Sequence, residues 1–236
     1  MYTADVSVSG GNTGVRYYLS GGALSQDGLR MGSSYNKVFG RINLDAKLND
    51  WVRANINTQV SYDATRVSPF GNNNAVGGGL AAMNAPFASP YDPNTGKELV
   101  RVPLLDIATP SHVIETNPAK TNNFILSTNG NLTITPLKNL TLRSLIGLEL
   151  DYGNSRSRTL PSYYRAYGNG SSERSFSMAS NITITNTASY NMTFGDHHLT
   201  TLLGHEYTND KDDGFSAEGS GILDDRLYLL NNATKN

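Results

Sequence analysis

Apolar and polar residues alternate between Val38 and Leu48. Val38, Gly40, Ile42, Leu44, Ala46 and Leu48 fall on one side and Lys37, Arg41, Asn43, Asp45 and Lys47 on the other, with Phe39 the one exception. A period of two marks a strand with two unlike faces. After Asn49-Asp50 the alternation resumes, with Val52, Ala54, Ile56, Thr58, Val60, Tyr62 and Ala64 set against Trp51, Arg53, Asn55, Asn57, Gln59, Ser61 and Asp63. The pair predicts a long hairpin. Each arm holds its pattern for about a dozen residues, whereas strands of soluble domains usually run to about 5–6 and a tilted transmembrane strand needs about 9–11. The polar face carries Arg, Lys, Asp, Asn and Gln, which a sandwich core could not bury unpaired. An apolar face toward lipid and a polar face toward a watery lumen accommodates both.

The same pattern recurs along the chain. Ala4 to Ser9 alternates, turns through Gly10-Gly11-Asn12-Thr13-Gly14 and returns as Val15, Tyr17, Leu19, Gly21 and Ala23. A fifth strand is expected near Asn122 to Thr135 and a sixth from Leu140 to Tyr152, joined at Pro136-Leu137-Lys138-Asn139. Phe176 to Met192 predicts a seventh strand, and Gly195-Asp196-His197 turns into an eighth from Leu199 to Tyr207. The connections 10–14, 49–50, 136–139 and 195–197 are short, whereas 25–34, 66–118, 154–173 and 208 onward are long, with a possible short strand at Arg226 to Leu230. Short turns at one rim and longer loops at the other are the habit of membrane barrels. The fold class expected is therefore all-β: an antiparallel meander of about eight long strands forming part of a transmembrane β-barrel.

Composition narrows the classes without changing this picture. No run approaches the ~18 apolar residues of a membrane-spanning helix, and a mean hydropathy of −0.38 is what alternating walls produce. Nineteen Lys and Arg against 20 Asp and Glu give a net charge of −1, spread without a basic block, so a nucleic-acid partner has no electrostatic footprint. The absence of cysteine removes disulfides, thiol catalysis and cysteine-ligated metals. Met1 is followed at once by Tyr2-Thr3-Ala4-Asp5, without the basic region and apolar core of a signal peptide, and Asn231 to Asn236 reads as mid-loop. The chain is expected to be one segment of a larger barrel domain.

Particular residues carry a family resemblance. Val6-Ser7-Val8-Ser9-Gly10-Gly11-Asn12, then Tyr17-Tyr18-Leu19-Ser20-Gly21-Gly22, Gln26-Asp27-Gly28, Arg41-Ile42-Asn43-Leu44-Asp45 and Trp51 resemble the early barrel of SusC/RagA-type TonB-dependent transporters. Ala85-Pro86-Phe87, Pro90-Tyr91-Asp92-Pro93-Asn94-Thr95-Gly96 and Leu203-Gly204-His205-Glu206-Tyr207 are also similar to that family. The resemblance implies a bacterial outer-membrane barrel of about 22 strands with a plugged lumen, a SusD-like surface lipoprotein as partner, and energy delivered by the TonB complex. It implies import of oligosaccharides, with oligopeptides as the nearest variant. The plug, signal peptide and closing C-terminal strands of such a protein would lie outside residues 1–236. The competing class is a soluble all-β ligand-binding or adhesin module, whose strand faces would pack in a sandwich core.

Isolated side chains add little chemistry. His197-His198 point to opposite faces of a strand, and His112 and His205 stand alone in the sequence. Asp210, Asp212 and Asp213 before Gly214 lack the spacing and terminal glutamate of a calcium loop. No nucleophile motif, HExxH or phosphate-binding glycine loop is present, Gly77-Gly78-Gly79 included. No enzyme activity, cofactor or metal is expected. The sequons at Asn131, Asn139, Asn181 and Asn191 follow from Asn and Thr alternating on polar faces. Trp51 is expected near a membrane interface although its parity places it on the polar face. The residues expected to contact solute are loop aromatics: Phe70, Phe87 and Tyr91 in the 66–118 loop, and Tyr163, Tyr164 and Tyr167 in the 154–173 loop. Sugar rings pack on such faces, as do neighbouring loops.

Overall fold

A computed structural model of the chain describes residues 1–67, 89–102 and 107–235. Eight strands form one antiparallel sheet in sequence order: β1 (Tyr2–Gly11), β2 (Val15–Asp27), β3 (Ser34–Lys47), β4 (Val52–Val67), β7 (Ala119–Leu137), β8 (Leu140–Thr159), β9 (Gly170–Phe194) and β10 (His197–Ile222). Between β4 and β7 lie a two-residue hairpin, β5 (Arg101–Val102) with β6 (Ile107–Ala108), and a short helix α1 (Pro110–Thr116). The meander and its hairpins are those expected from the alternation, with the turns at Asn12, Asn49, Lys138 and Asp196 on one rim and the Gly28 and Gly168 connections on the other. Asn84, at the middle of the longest connection, falls outside the described residues.

Local chemistry fixes the turns. Asn12 folds back to accept the N–H groups of Gly14 and Val15, each at 2.8 Å, and Asn49 accepts that of Trp51 at 2.9 Å. Gly195 sits at φ 59° in the two-residue turn into β10, a conformation that glycine adopts without steric cost. Pro136 has no N–H to give, and the β7–β8 register shifts between Ile134 and Leu137. The neighbouring Thr135 N–H donates instead to the Trp51 carbonyl at 2.7 Å. Trp51 therefore belongs to the turn preceding β4, where strand parity does not apply, and its side chain is half exposed.

Register carries one face across the whole sheet. Val8, Leu19, Ile42, Thr58, Thr128 and Leu148 follow one another across neighbouring strands, as do Ala46, Ala54, Leu132, Ser144 and Asn186 one way along the face. The opposite face reads Arg41, Gln59, Ser127, Glu149, Asn181 and Asp210. Ile56 and Ile146 share the apolar face while Asn55, Asn57, Arg143 and Glu149 share the polar one, as the alternation requires. Phe39, the exception, lies on the polar face directly opposite Gly22, where any Cβ would come within 2.6 Å of its ring. The glycine provides the space that the ring fills.

Among the described residues, no second layer covers the apolar face. Val6 is 73% exposed, Ile42 50%, Ile146 52% and Leu203 73%, although each lies within a long strand. A soluble sandwich would bury these residues. Among the described residues the buried apolar ones are Val102, Ala108, Val113, Tyr163 and Ile222, all toward the long-loop rim. From Val52 to Tyr62 the uncovered band rises about 33 Å along β4 at ~3.3 Å per residue, or about 25 Å once tilted by ~40°, the height of the apolar band of an outer-membrane barrel.

Four sequence expectations are corrected at the ends of strands. The chain after Asp210 is not a loop: β10 runs on to Ile222, paired from Asp210 with Asn181 to Ser220 with Ser171. The connection placed at 154–173 shrinks to 160–169, because β8 reaches Thr159 and β9 begins at Gly170. The 66–118 connection contains β5, β6 and α1. Arg226 to Leu230 is not a strand: Arg226 forks onto Asp224, with Nη2 to Oδ2 at 2.6 Å, and a 3-10 helix follows at Leu230–Asn232. In the first two cases the pairing continues above the lipid band, where both faces are wet and hydropathy no longer alternates.

The orientation has a direct test. In a barrel refolded into lipid vesicles, Ile56→Arg is expected to cost about 2–4 kcal/mol near the bilayer midplane, and Asn57→Arg, one residue on and facing the lumen, under about 1 kcal/mol. Chemical denaturation of the two variants, followed by the tryptophan signal, checks the difference.

Candidate solute-facing wall and loop cap

The polar face is a wall of paired side chains. On β7 and β8, Arg143 Nε donates to Asn131 Oδ1 at 2.8 Å, and Asn123 donates to the buried Asp63 carboxylate of β4 at 3.1 Å. On β9 and β10, Thr185 donates to Glu206 at 3.1 Å, Asn181 donates to Asp210, and Thr183 donates to Asn181 at 3.2 Å. These bonds join residues on adjacent strands or two apart on the same strand, so the strand spacing itself positions them. The wall is uneven in charge. β3 and β4 present Lys37, Arg41, Lys47 and Arg53 beside Asp45 and Asp63, whereas β8 to β10 present Glu149, Asp151, Glu206, Asp210 and Asp212 beside Arg143. A flexible polar solute would meet many amide, hydroxyl and carboxylate groups held in place by neighbours.

Above the wall, the rim is capped by packed loops. Ala108, Val113 and Tyr163 form a small buried cluster with Tyr164 and Ala166 against it. His112 of α1 stacks on Tyr163 with ring centres 6.0 Å apart, and Tyr163 meets Tyr164 edge-on at 5.1 Å. Guanidinium groups of Arg101 and Arg165 lie 4.7 and 5.3 Å from the centre of the Tyr164 ring, close enough for cation–π attraction. The end of α1 is tied to the end of β8: Leu160 N–H donates to the Thr116 carbonyl at 2.8 Å and Thr159 Oγ1 to Asn117 Oδ1 at 3.1 Å. Arg158 Nη2 reaches the carbonyls of Asp225 and Leu227 at 3.0 and 2.8 Å, which draws in the segment after β10.

The aromatics expected to contact solute divide among these settings. Tyr163 and Tyr164 are brought together in the cap, with Tyr163 only 7% exposed. Tyr167 stands at the tip of the 160–169 connection, 88% exposed and at φ 52°, and does not join that cluster. Tyr91 is half exposed in a turn organised by Asp92, whose carboxylate accepts the N–H groups of Asn94 and Thr95 at 2.7 and 3.1 Å. Phe70 and Phe87 lie outside the described residues. Sequence reasoning passed over Arg101 and the stacking role of His112, because α1 is too short to show a helical period. Asp210 and Asp212, which the sequence places in an acidic loop, are instead inward carboxylates that the continuing parity of β10 sets on the wall, while Asp213 turns to the other face.

No family model matches the chain. A TonB-dependent receptor of Formosa agariphila is 26% identical over 98% of this chain and 23% of its own length. The solved RagAB peptide transporter superposes with a TM-score of 0.87 at 25% identity, over 99% of this chain and 27% of that one. The RagAB peptide importer in its closed-closed state gives 0.85 at 26% identity and in its open-open state 0.87 at 26%, with the same coverage. The chain is similar to the barrel wall of SusC/RagA-type TonB-dependent transporters. It lies in the outer membrane, and it spans about a quarter of the length of the proteins it matches. A barrel wall of that kind leaves its apolar face bare to lipid and pairs its polar side chains toward the inside.

The cap carries a pH dependence. Burial holds the His112 imidazole below its ordinary value of 6.5, against the opposing pull of Glu115 and Glu98. The undocked loop therefore binds the proton more readily than the docked one, so docking is fully stable above pH 6.5 and weakens as pH falls through that value toward the lowered one. Amide exchange in residues 107–117 is expected to quicken between pH 7 and pH 5 relative to the strands, and His112→Phe is expected to abolish the effect.

Proposed function

We propose that this SusC/RagA-type wall belongs to a TonB-dependent outer-membrane importer of oligopeptides. The superposition of nearly the whole chain on the RagAB peptide transporter carries the reading. The inward wall supports it: amides, hydroxyls and the Glu149, Asp151, Glu206, Asp210 and Asp212 carboxylates can bond peptide N–H groups, lysine or a free amino terminus. In this reading the polar face lines the solute path, a SusD-like surface lipoprotein closes the long-loop rim, and TonB supplies energy through a plug carried by the rest of the protein. The chain performs no chemistry on the solute.

Oligosaccharide import is the second reading, favoured by the exposed aromatics Tyr91 and Tyr167 on the rim. Flat aromatic faces suit sugar rings. The experiment is uptake by the intact importer with its lipoprotein partner in the native membrane. Peptide import predicts that deleting the gene abolishes uptake of labelled oligopeptides and leaves oligosaccharides untouched, and that Glu206→Gln with Asp210→Asn lowers peptide uptake several-fold. Loss of oligosaccharide uptake alone, together with a defect in Tyr91→Ala and Tyr167→Ala, would overturn the peptide reading.

A further inference from the structure

On the outward face, a row of aromatics crosses the sheet near its long-loop end. Tyr62, Phe124 and Tyr152 are direct register neighbours, and ring centres continue from Phe124 to Tyr152 at 6.3 Å, to Phe176 at 6.3 Å and to Phe215 at 6.0 Å. Aromatic girdles of this kind mark where hydrocarbon gives way to headgroups. Beyond it, still on the outward face, register places Arg66 against Lys120, Lys120 against Arg156, and Arg156 against Arg174. Four cations thus occupy four successive strands in one row.

That row runs against the usual rule of sheets, in which like charges directly opposite one another are destabilising. Its direct register neighbours carry no opposite charge. Uncharged Ser34 and Ala217 flank the row, Asp27 follows beyond Ser34, two strand spacings or about 10 Å from Arg66, and Glu173 and Glu218 point to the inner face. Glu115 of α1 lines the same small cavity as Arg66, yet none of the four cations makes an ion pair among the described residues. Arg158, two residues further up β8, is committed to the carbonyls of Asp225 and Leu227 and stands apart from the row. Three strand spacings of ~4.8 Å make the row about 14 Å wide. Four residues separate Arg66 from Tyr62, Lys120 from Phe124 and Arg156 from Tyr152, which sets the charges about 10 Å above the girdle at ~3.3 Å per residue and ~40° tilt.

We propose that Arg66, Lys120, Arg156 and Arg174 form a binding surface for the phosphate groups of anionic lipids in the outer leaflet of the outer membrane. Guanidinium and ammonium groups are the side chains that hold phosphate oxygens, and here they lie at headgroup height, on the lipid side, without an ion pair among the described residues. A bound phosphate removes the mutual repulsion of the row. The surface anchors the barrel at a set depth from the outside and leaves the inner wall free for solute.

The test uses the intact barrel protein, purified in detergent and titrated by native mass spectrometry with bisphosphorylated lipid A, with dephosphorylated lipid A and with inorganic phosphate. Adducts of the bisphosphorylated lipid are expected to weaken by about fivefold for each cation removed as glutamine, taking Lys120→Gln and Arg156→Gln first. Arg156→Lys should retain binding, and Arg53→Gln on the inner face should leave it unchanged. Heat-modifiable electrophoretic mobility checks that each variant keeps its barrel; if the double variant does not fold, the single variants Lys120→Gln and Arg156→Gln carry the comparison. Equal binding of the glutamine variants or of dephosphorylated lipid A would overturn the proposal, as would full competition by inorganic phosphate, which would mean a free-anion site.

Discussion

Backbone hydrogen bonding is the constraint on which the rest depends. In hydrocarbon an unpaired N–H or C=O costs several kcal/mol, so a spanning segment must satisfy every one of them within the protein. The meander does this by keeping each strand beside its sequence neighbour, through pairings that run for ten to 26 residues along the strands. Side chains then have little say in holding the sheet together. They are free to be apolar on one face and charged on the other, which a water-soluble single-layer sheet could not sustain.

This separation explains how legible the chain is. Within the lipid band the two faces meet opposite solvents, and residues such as Ile42, Leu44 and Ile56 against Arg41, Asn43 and Asn57 record that contrast directly. Above the band both faces are wet. There β10 keeps pairing through Asp210, Lys211, Asp212 and Asp213 although its composition reads as loop, so the hydrogen-bonded ladder outlasts the hydropathy signal. The turns were legible for another reason: Asn12, Asn49 and Gly195 each perform a local task that depends on no distant partner.

The cap was the least legible part. Its order comes from contacts between segments far apart in sequence: α1 with the 160–169 connection, and Arg158 with carbonyls some 70 residues later. No period announces such contacts, and aromatics in a loop read alike whether they face solute or one another. Tyr163 and Tyr164 serve a stack with His112 while Tyr167, only a few residues on, stands in water. The same residue type in the same loop thus has two physical settings that only the folded arrangement separates.

The register of the main sheet shifts only near its two rims, between Ile134 and Leu137 and between Ser220 and Ile222. Between those places the wall tolerates substitution far more readily than it tolerates a change of length. A single residue gained or lost inside a span would turn every side chain between it and the next rim inside out, sending carboxylates to lipid and leucines to water. Length variation should therefore collect at the rims, and homologous walls should align through their spans without gaps however far their sequences have drifted.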